Sequence, residues 1–200
     1  MRHGATELNS AGIFVGHTDA ELSAAGCRQV ERLRDRLSTE RIDSVYSSDL
    51  RRTLATAETI ASRHQLEVIA CPELREIDYG NLDGLTFEQI KCLNPEVAEL
   101  CADWSPQLKF PEGESVGELN KRVSGFLDRL KQHPPEQTTL IVTHGGPLRL
   151  MLCLLMGIEL WHWRQVRIDL ASLSIVDTSP RGARLILLND VSHLDGLKVP

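Results

Sequence analysis

The 200-residue chain has no apolar run long enough to cross a membrane. Its longest, residues 150–158, falls short of the roughly 20 residues a spanning helix needs, and it follows Arg149. There is no surplus of positive charge: 22 Lys and Arg against 28 Asp and Glu give a formal net charge of -6. Nucleic-acid binders carry a basic footprint, so that class of partner is excluded. A small anionic ligand is not, because a pocket can be locally positive on an acidic protein. None of the five cysteines (Cys27, Cys71, Cys92, Cys101 and Cys153) stands in Cys-x-x-Cys spacing, and an odd count does not suit a disulfide framework. They read as free thiols of a reducing compartment, and the expected location is the cytoplasm. No charged-then-apolar leader is read in front of Arg2. His17, His64, His133, His162 and His193 lack metal-ligand spacing such as His-x-His. Repeats, low-complexity segments and linkers are also missing. Residues 1–200 therefore read as one domain, large enough to bury a full core.

What is present alternates between helical and strand patterns. Ser23 reads as the N-cap of a helix to about Ser38, with Cys27, Val30, Leu33 and Leu37 on one face. Residues 42–46 read as a buried strand, and Ser47-Ser48-Asp49 as the cap of a helix from Leu50 to about His64. A strand over Glu67 to Cys71 follows, stopped by Pro72. The region 74–114 is irregular, with short helical patterns at 87–93 and 96–104 and a loop from Ser105 to Gly113. Ser115-Val116-Gly117-Glu118 is a capping box, so a helix starts at Val116 and runs to about Gln132. Residues 138–143 form a β-branched strand, then a helix spans Pro147 to Met156. Residues 173–177 and 184–188 read as two strands joined by a turn. The order implies an α/β sandwich with a mainly parallel sheet and an antiparallel edge.

Three polar segments sit at the C-terminal ends of strands, where open α/β sheets bind ligands. They are Arg2-His3-Gly4, Ser47-Ser48-Asp49-Leu50-Arg51-Arg52 and Thr143-His144-Gly145-Gly146. A fourth, Leu74-Arg75-Glu76-Ile77-Asp78-Tyr79-Gly80, gathers charge in the irregular region. Phosphate-ester cleavage needs an unprotonated nucleophile, fixed donors for the phosphoryl oxygens and an acid for the leaving group. Imidazole, guanidinium and carboxyl groups meet that list without a metal. Taken singly, each residue has an ordinary role: Arg52 as a helix-surface charge, Glu76 as a partner of Arg75 or a turn cap, Asp78 as a rival acid. Trp161 and Trp163 read as core or interface packing.

Together, and in this order, the four segments resemble the histidine phosphatase superfamily, also called phosphoglycerate-mutase-like. The resemblance spans residues 2–149 and implies a three-layer α/β/α sandwich. It implies that His3 is the nucleophile that becomes phosphohistidine. Arg2 and Arg52 would bind the phosphoryl group, with His144 on its far side. Glu76 would be the general acid, later the base that activates water. Asn9 and backbone N–H groups near Val15-Gly16 and Gly145 would add hydrogen bonds. No metal or organic cofactor is implied. The partner would be a phosphorylated small molecule, with the protein a monomer or homodimer. The short segment between Glu76 and Ser115 resembles phosphatases more than mutases. Pro111-Glu112-Gly113-Glu114-Ser115 and the strings around Glu76 and His144 are similar to alpha-ribazole phosphatases, which act in cobalamin assembly, and to their broad-specificity relatives. A bisphosphoglycerate-dependent mutase and a non-catalytic phospholigand-binding module remain alternatives, with a metal hydrolase more remote.

One departure carries its own expectation. In the family a strand of several apolar residues delivers Arg-His-Gly, and here only Met1 precedes it. The expectation is that a strand is missing or that Met1 is an internal methionine. Neighbouring strands would then have buried backbone groups unpaired.

Overall fold

The computed structural model describes every residue except Trp104, Pro106, Gln107 and residues 198–200. The end of the helix expected at Trp104 and part of the loop after it lie outside the described residues. In chain order the elements are α1 (Glu7–Ser10), α2 (Ala24–Leu37), β1 (Ser44–Ser47), α3 (Arg51–His64), β2 (Val68–Ala70), α4 (Phe87–Leu93), α5 (Pro95–Asp103), α6 (Val116–Leu130), β3 (Thr139–Val142), α7 (Gly145–Met156), β4 (Leu173–Ser179) and β5 (Gly182–Asp190). Ser23 caps α2 by accepting from the Gly26 N–H, and Ser115 and Glu118 close the expected capping box on α6.

The central sheet runs β2-β1-β3, all parallel, with Val45 opposite Leu140 and Val68. Side chains alternate across it, as strand geometry requires. Val45, Leu140 and Val142 face Leu33 and Leu37 of α2 and Ala57 and Ile60 of α3. Tyr46 faces the other way, into a cluster with Phe126 of α6 and Leu150 of α7. The arrangement is helix, sheet, helix. Among the described residues no helix is long and apolar enough to cross a membrane.

Residues 1–3 take the place beside β3. Thr143 N–H donates to the Met1 carbonyl at 3.0 Å, and His3 N–H to the Thr143 carbonyl at 3.1 Å. On the other side Arg2 N–H donates to Ser172 at 3.2 Å, and Ala171 N–H to His3 at 2.9 Å. Numbers rise on one side as they fall on the other, so the 171–172 stretch runs antiparallel and leads into the β4–β5 ribbon. That is the antiparallel edge. The backbone groups expected to be unpaired are paired at this level of the sheet: the stretch 1–3 is bonded to β3 on one side and to residues 171–172 on the other.

The chain then crosses α2. Ser23 N–H donates to the Ala5 carbonyl at 2.9 Å, and Ala5 N–H to Gln29 at 2.9 Å. A Cβ on Gly26 would stand 2.0 Å from the Ala5 carbonyl oxygen, so only glycine permits this approach. His3 is thereby fixed from both directions along the chain.

The expected cap of α3 is corrected. Leu50 is the N-cap and makes no side-chain cap bond. Asp49 instead pairs with Arg75 through two bonds, of 2.6 and 2.5 Å. Asp19, from the loop before α2, accepts from the Arg51 N–H at 2.7 Å. Ser48 turns inward, toward His144.

Candidate active site

His3 leaves the sheet beside β3 and is 3 % exposed. Its Nδ1 lies 2.7 Å from the Gly4 carbonyl oxygen. A carbonyl only accepts, so Nδ1 carries the proton of the neutral ring and the Nε2 lone pair is free. Burial pushes the His3 pKa well below the ordinary 6.5, and the positive charges of Arg52 and Arg2 push it further. The ring is thus held neutral and nucleophilic at physiological pH.

His144 ends β3 and starts α7, fully buried. The two imidazole centroids stand 5.0 Å apart at 60°. Arg52 Nε donates to His144 Nδ1 at 3.3 Å. Nδ1 is therefore the acceptor, and Nε2–H donates to Ser48 Oγ at 2.9 Å. Burial, then Arg52, hold His144 well below its usual range as well.

Arg52 projects from the first turn of α3 and is 1 % exposed. Its two terminal nitrogens donate to the carbonyls of Thr18 and Gly16, each at 2.7 Å. These bonds aim the guanidinium across the loop 16–18. Arg2 donates to the Ile168 carbonyl at 2.8 Å, and its buried Nε has no hydrogen-bond partner. A buried donor of this kind is costly to leave unmet. A phosphoryl oxygen would meet it.

Glu76 reaches the site from the irregular region. Its carboxylate accepts from the Gly146 N–H at 3.0 and 3.2 Å and from its own neighbour Ile77 at 2.9 Å. It therefore caps the positive end of α7, which has no cap from His144. A Cβ on Gly146 would stand 2.2 Å from Glu76 Oε1, so the glycine makes room for the carboxylate. Arg75 does not pair with Glu76. Asp78 accepts from the Gly80 N–H and does not line the cavity.

The cavity measures about 280 Å³ and is lined by Arg2, His3, Asn9, Val15, Glu76 and Gly145, among others. Asn9 Oδ1 caps α1 by accepting from Thr6 N–H at 2.9 Å, which turns its amide NH₂ to the remaining directions. The Gly16 N–H is not available to a ligand, since it donates to Asp83 Oδ1 at 3.0 Å. Gly16 serves the site through its carbonyl. Arg52 and His144 stand behind the lining, beside His3. Among the described residues no three His, Cys, Asp or Glu side chains gather into a set that could hold a metal ion.

Several residues at the site carried no local signal. His17 Nε2 lies 3.1 Å from the Glu76 carbonyl. Arg122 of α6 donates to the carbonyls of Glu73, Arg75 and Glu76 and to the Glu114 carboxylate. Arg149, Arg164 and Trp163 also line the cavity. Trp163 is buried in the core as well, whereas Trp161 is 60 % exposed. Only Arg149 could have been found, from its place in the His-Gly-Gly string.

The depressed histidines set a pH dependence. Below pH 6.5 the unfolded chain protonates His3 and His144 while the folded protein holds them neutral. The unfolded state then binds more protons, so stability is full above 6.5 and falls as pH drops toward their folded values. We expect a loss of up to about 1.4 kcal/mol per pH unit per histidine between pH 6.5 and 5. His193, lowered by burial, shares the direction. Urea unfolding midpoints against pH measure it. His144→Gln should flatten the slope, and an unchanged slope would contradict the assignment.

The profile of the histidine phosphatase superfamily, branch 1, matches residues 1–191. The chain is 34% identical over 194 residues to phosphoserine phosphatase 1 of Hydrogenobacter thermophilus, covering 97% of this chain and 92% of that one. It is likewise 34% identical over 199 residues to a probable phosphoglycerate mutase of Proteus mirabilis, covering 97% and 93%. The crystal structure of the alpha-ribazole phosphatase from Shigella flexneri superposes with a TM-score of 0.89 at 31% identity, over 96% of this chain and 95% of that one. With its four polar segments around one cavity and relatives matched along nearly its full length, the chain belongs to branch 1 of the histidine phosphatase superfamily.

Proposed function

We propose that this histidine phosphatase, as one domain and without a metal, hydrolyses small phosphomonoesters through a phosphohistidine on His3. The observation that carries the reading is the neutral, buried His3 with Nδ1 tied to the Gly4 carbonyl and Nε2 free beside two guanidiniums. Nε2 attacks phosphorus while Arg2 and Arg52 meet the phosphoryl oxygens; His144, expected on the far side of the phosphoryl group, has its Nδ1 engaged by Arg52 and its Nε2–H by Ser48, and positions Arg52 instead. The ester P–O bond breaks, and Glu76 gives its proton to the departing alkoxide. In the second half Glu76 takes a proton from water, the hydroxide attacks phosphorus, and the P–N bond breaks to release phosphate.

Relatives named for phosphoserine and for alpha-ribazole, and others named as probable mutases, match this chain along nearly its full length. The short 77–114 segment favours hydrolysis over transfer between hydroxyls. The test is a panel of phosphoserine, alpha-ribazole 5′-phosphate and 3-phosphoglycerate, read for inorganic phosphate in buffer with EDTA. Hydrolysis predicts phosphate release unaffected by EDTA. Isomer formed from 3-phosphoglycerate with a trace of bisphosphoglycerate, and no free phosphate, would make the protein a mutase instead. Ligand binding with no turnover would make it a non-catalytic module.

A further inference from the structure

A guanidinium has five N–H donors, and the protein takes three of those on Arg52. Nε donates to His144 Nδ1, and the two terminal nitrogens donate to the carbonyls of Thr18 and Gly16. One hydrogen on each terminal nitrogen is left for the phosphoryl group. The fork is planar and rigid, so the direction of those two hydrogens follows from the three bonds already made. Two of the three depend on where the loop 16–18 lies.

That loop has its own anchor. Upstream it is docked through main chain: Phe14 N–H donates to the Leu85 carbonyl at 2.9 Å, and Gly84 N–H to the Phe14 carbonyl at 2.8 Å. Beyond Phe14 the tie passes to side chains. His17 Nε2 meets the Glu76 carbonyl. Asp83, which follows the turn over residues 80–82, takes both of the neighbouring N–H groups. Its Oδ1 accepts from Gly16 at 3.0 Å and its Oδ2 from Thr18 at 2.8 Å. The same two residues therefore give their N–H groups to a carboxylate and their carbonyls to a guanidinium. All four bonds are charge-assisted, and bonds in such a chain polarise one another. Burial lowers the Arg52 pKa, and the negative charges of Glu76 and then Asp83 oppose that. Asp83 itself does not line the cavity.

We propose that Asp83 is a positioning residue for phosphoryl binding: it clamps the loop 16–18, whose two carbonyls aim the Arg52 fork. The proposal rests on the phosphomonoesterase reading of the site. It assigns a role to a carboxylate that touches neither the ester nor the phosphoryl group.

Asp83→Asn keeps the shape of the side chain, removes its charge and leaves one acceptor for two N–H groups. For the fastest substrate of the panel, kcat/KM should fall about ten- to a hundredfold, the scale of a contact misplaced by up to an ångström. Inorganic phosphate, titrated by calorimetry, should bind about tenfold more weakly. The melting temperature should fall by no more than about 4 °C, the scale of one lost hydrogen bond in a chain of this size. Asp83→Glu keeps both oxygens and should recover part of the activity.

The deciding readout is the coupling to Arg52. Arg52→Lys supplies a point charge without the fork, so the loop no longer aims it. On that background Asp83→Asn should change kcat/KM and phosphate affinity by less than about twofold. A purely structural role would lower both backgrounds by the same factor, and that result overturns the proposal. Wild-type kcat/KM in Asp83→Asn, or an Asp83→Glu protein no better than Asp83→Asn, overturns it too. Equal factors in a protein that hydrolyses esters leave the phosphatase reading standing and remove the role of Asp83. Coupled losses of phosphate affinity in a protein that hydrolyses none have the reverse meaning.

Discussion

His3→Ala protein is expected to fold and to lose about ten-thousandfold or more in kcat. The side chain makes one hydrogen bond, to the adjacent Gly4 carbonyl, whereas the backbone bonds that hold residues 1–3 in the sheet are untouched. What disappears is the only imidazole of the pair with a free nitrogen facing the cavity. His144 cannot substitute, because its Nδ1 accepts from Arg52 and its Nε2 faces Ser48. Arg2, Arg52 and Glu76 remain, so phosphomonoester binding should survive. Phosphate-release assays beside a thermal melt separate the two effects. A variant that keeps a tenth of wild-type kcat would contradict the role given to His3.

The second large effect is structural and falls far from any recognisable motif. Arg122→Ala is expected to cost about 3 kcal/mol, the low end of the loss when one partner of a buried ion pair is removed, because this pair is partly buried. Arg122 and Glu114 are 20% and 13% exposed, and their carboxylate–guanidinium bonds measure 2.7 and 2.8 Å. The same guanidinium donates to three main-chain carbonyls, those of Glu73, Arg75 and Glu76. Losing it strands the Glu114 charge and frees the segment that presents the Glu76 carboxylate. Misplacing a catalytic group by an ångström costs about a hundredfold in rate, so kcat should fall along with stability. Arg122→Lys should not rescue either property, since a point charge cannot span a carboxylate and three carbonyls. Arg129→Ala is the control: its bridge to Glu73 is 43% and 39% exposed and is worth less than about 1 kcal/mol. Chemical denaturation and kcat on one substrate measure both. Equal losses in the two variants would sink the special role of Arg122.

The contrast between these two residues shows what the sequence exposes. His3, Arg52 and His144 lie at strand ends or helix starts and Glu76 in the irregular region, all in short strings whose spacing is local. The strings could be read one by one and joined by their order. The buried strands β1 and β3 and the caps at Ser23 and Ser115 were legible for the same reason. Arg122 sits mid-helix on a face that pattern alone assigns to solvent, and the three carbonyls it holds are 46 to 49 residues away along the chain. Nothing local marks it. Ser48 was legible as a cap and is instead a partner of His144, 96 residues on, because Asp19 from another loop took the capping role. The pairing of residues 1–3 was missed for a similar reason. Its bonds join positions about 140 and 170 residues apart, and a three-residue stretch carries no strand periodicity. The resemblance implied a ligand contact from a backbone N–H near Val15-Gly16, yet Asp83 holds the Gly16 N–H.

The central claim is that His3 carries the phosphoryl group during turnover. Rapid quench of the enzyme with a labelled phosphomonoester, followed by peptide mapping, tests it directly. The account predicts an acid-labile, alkali-stable phosphoryl adduct on His3, formed faster than phosphate is released and absent in His3→Ala. Steady phosphate release with no such adduct, or an adduct on His144, would contradict it.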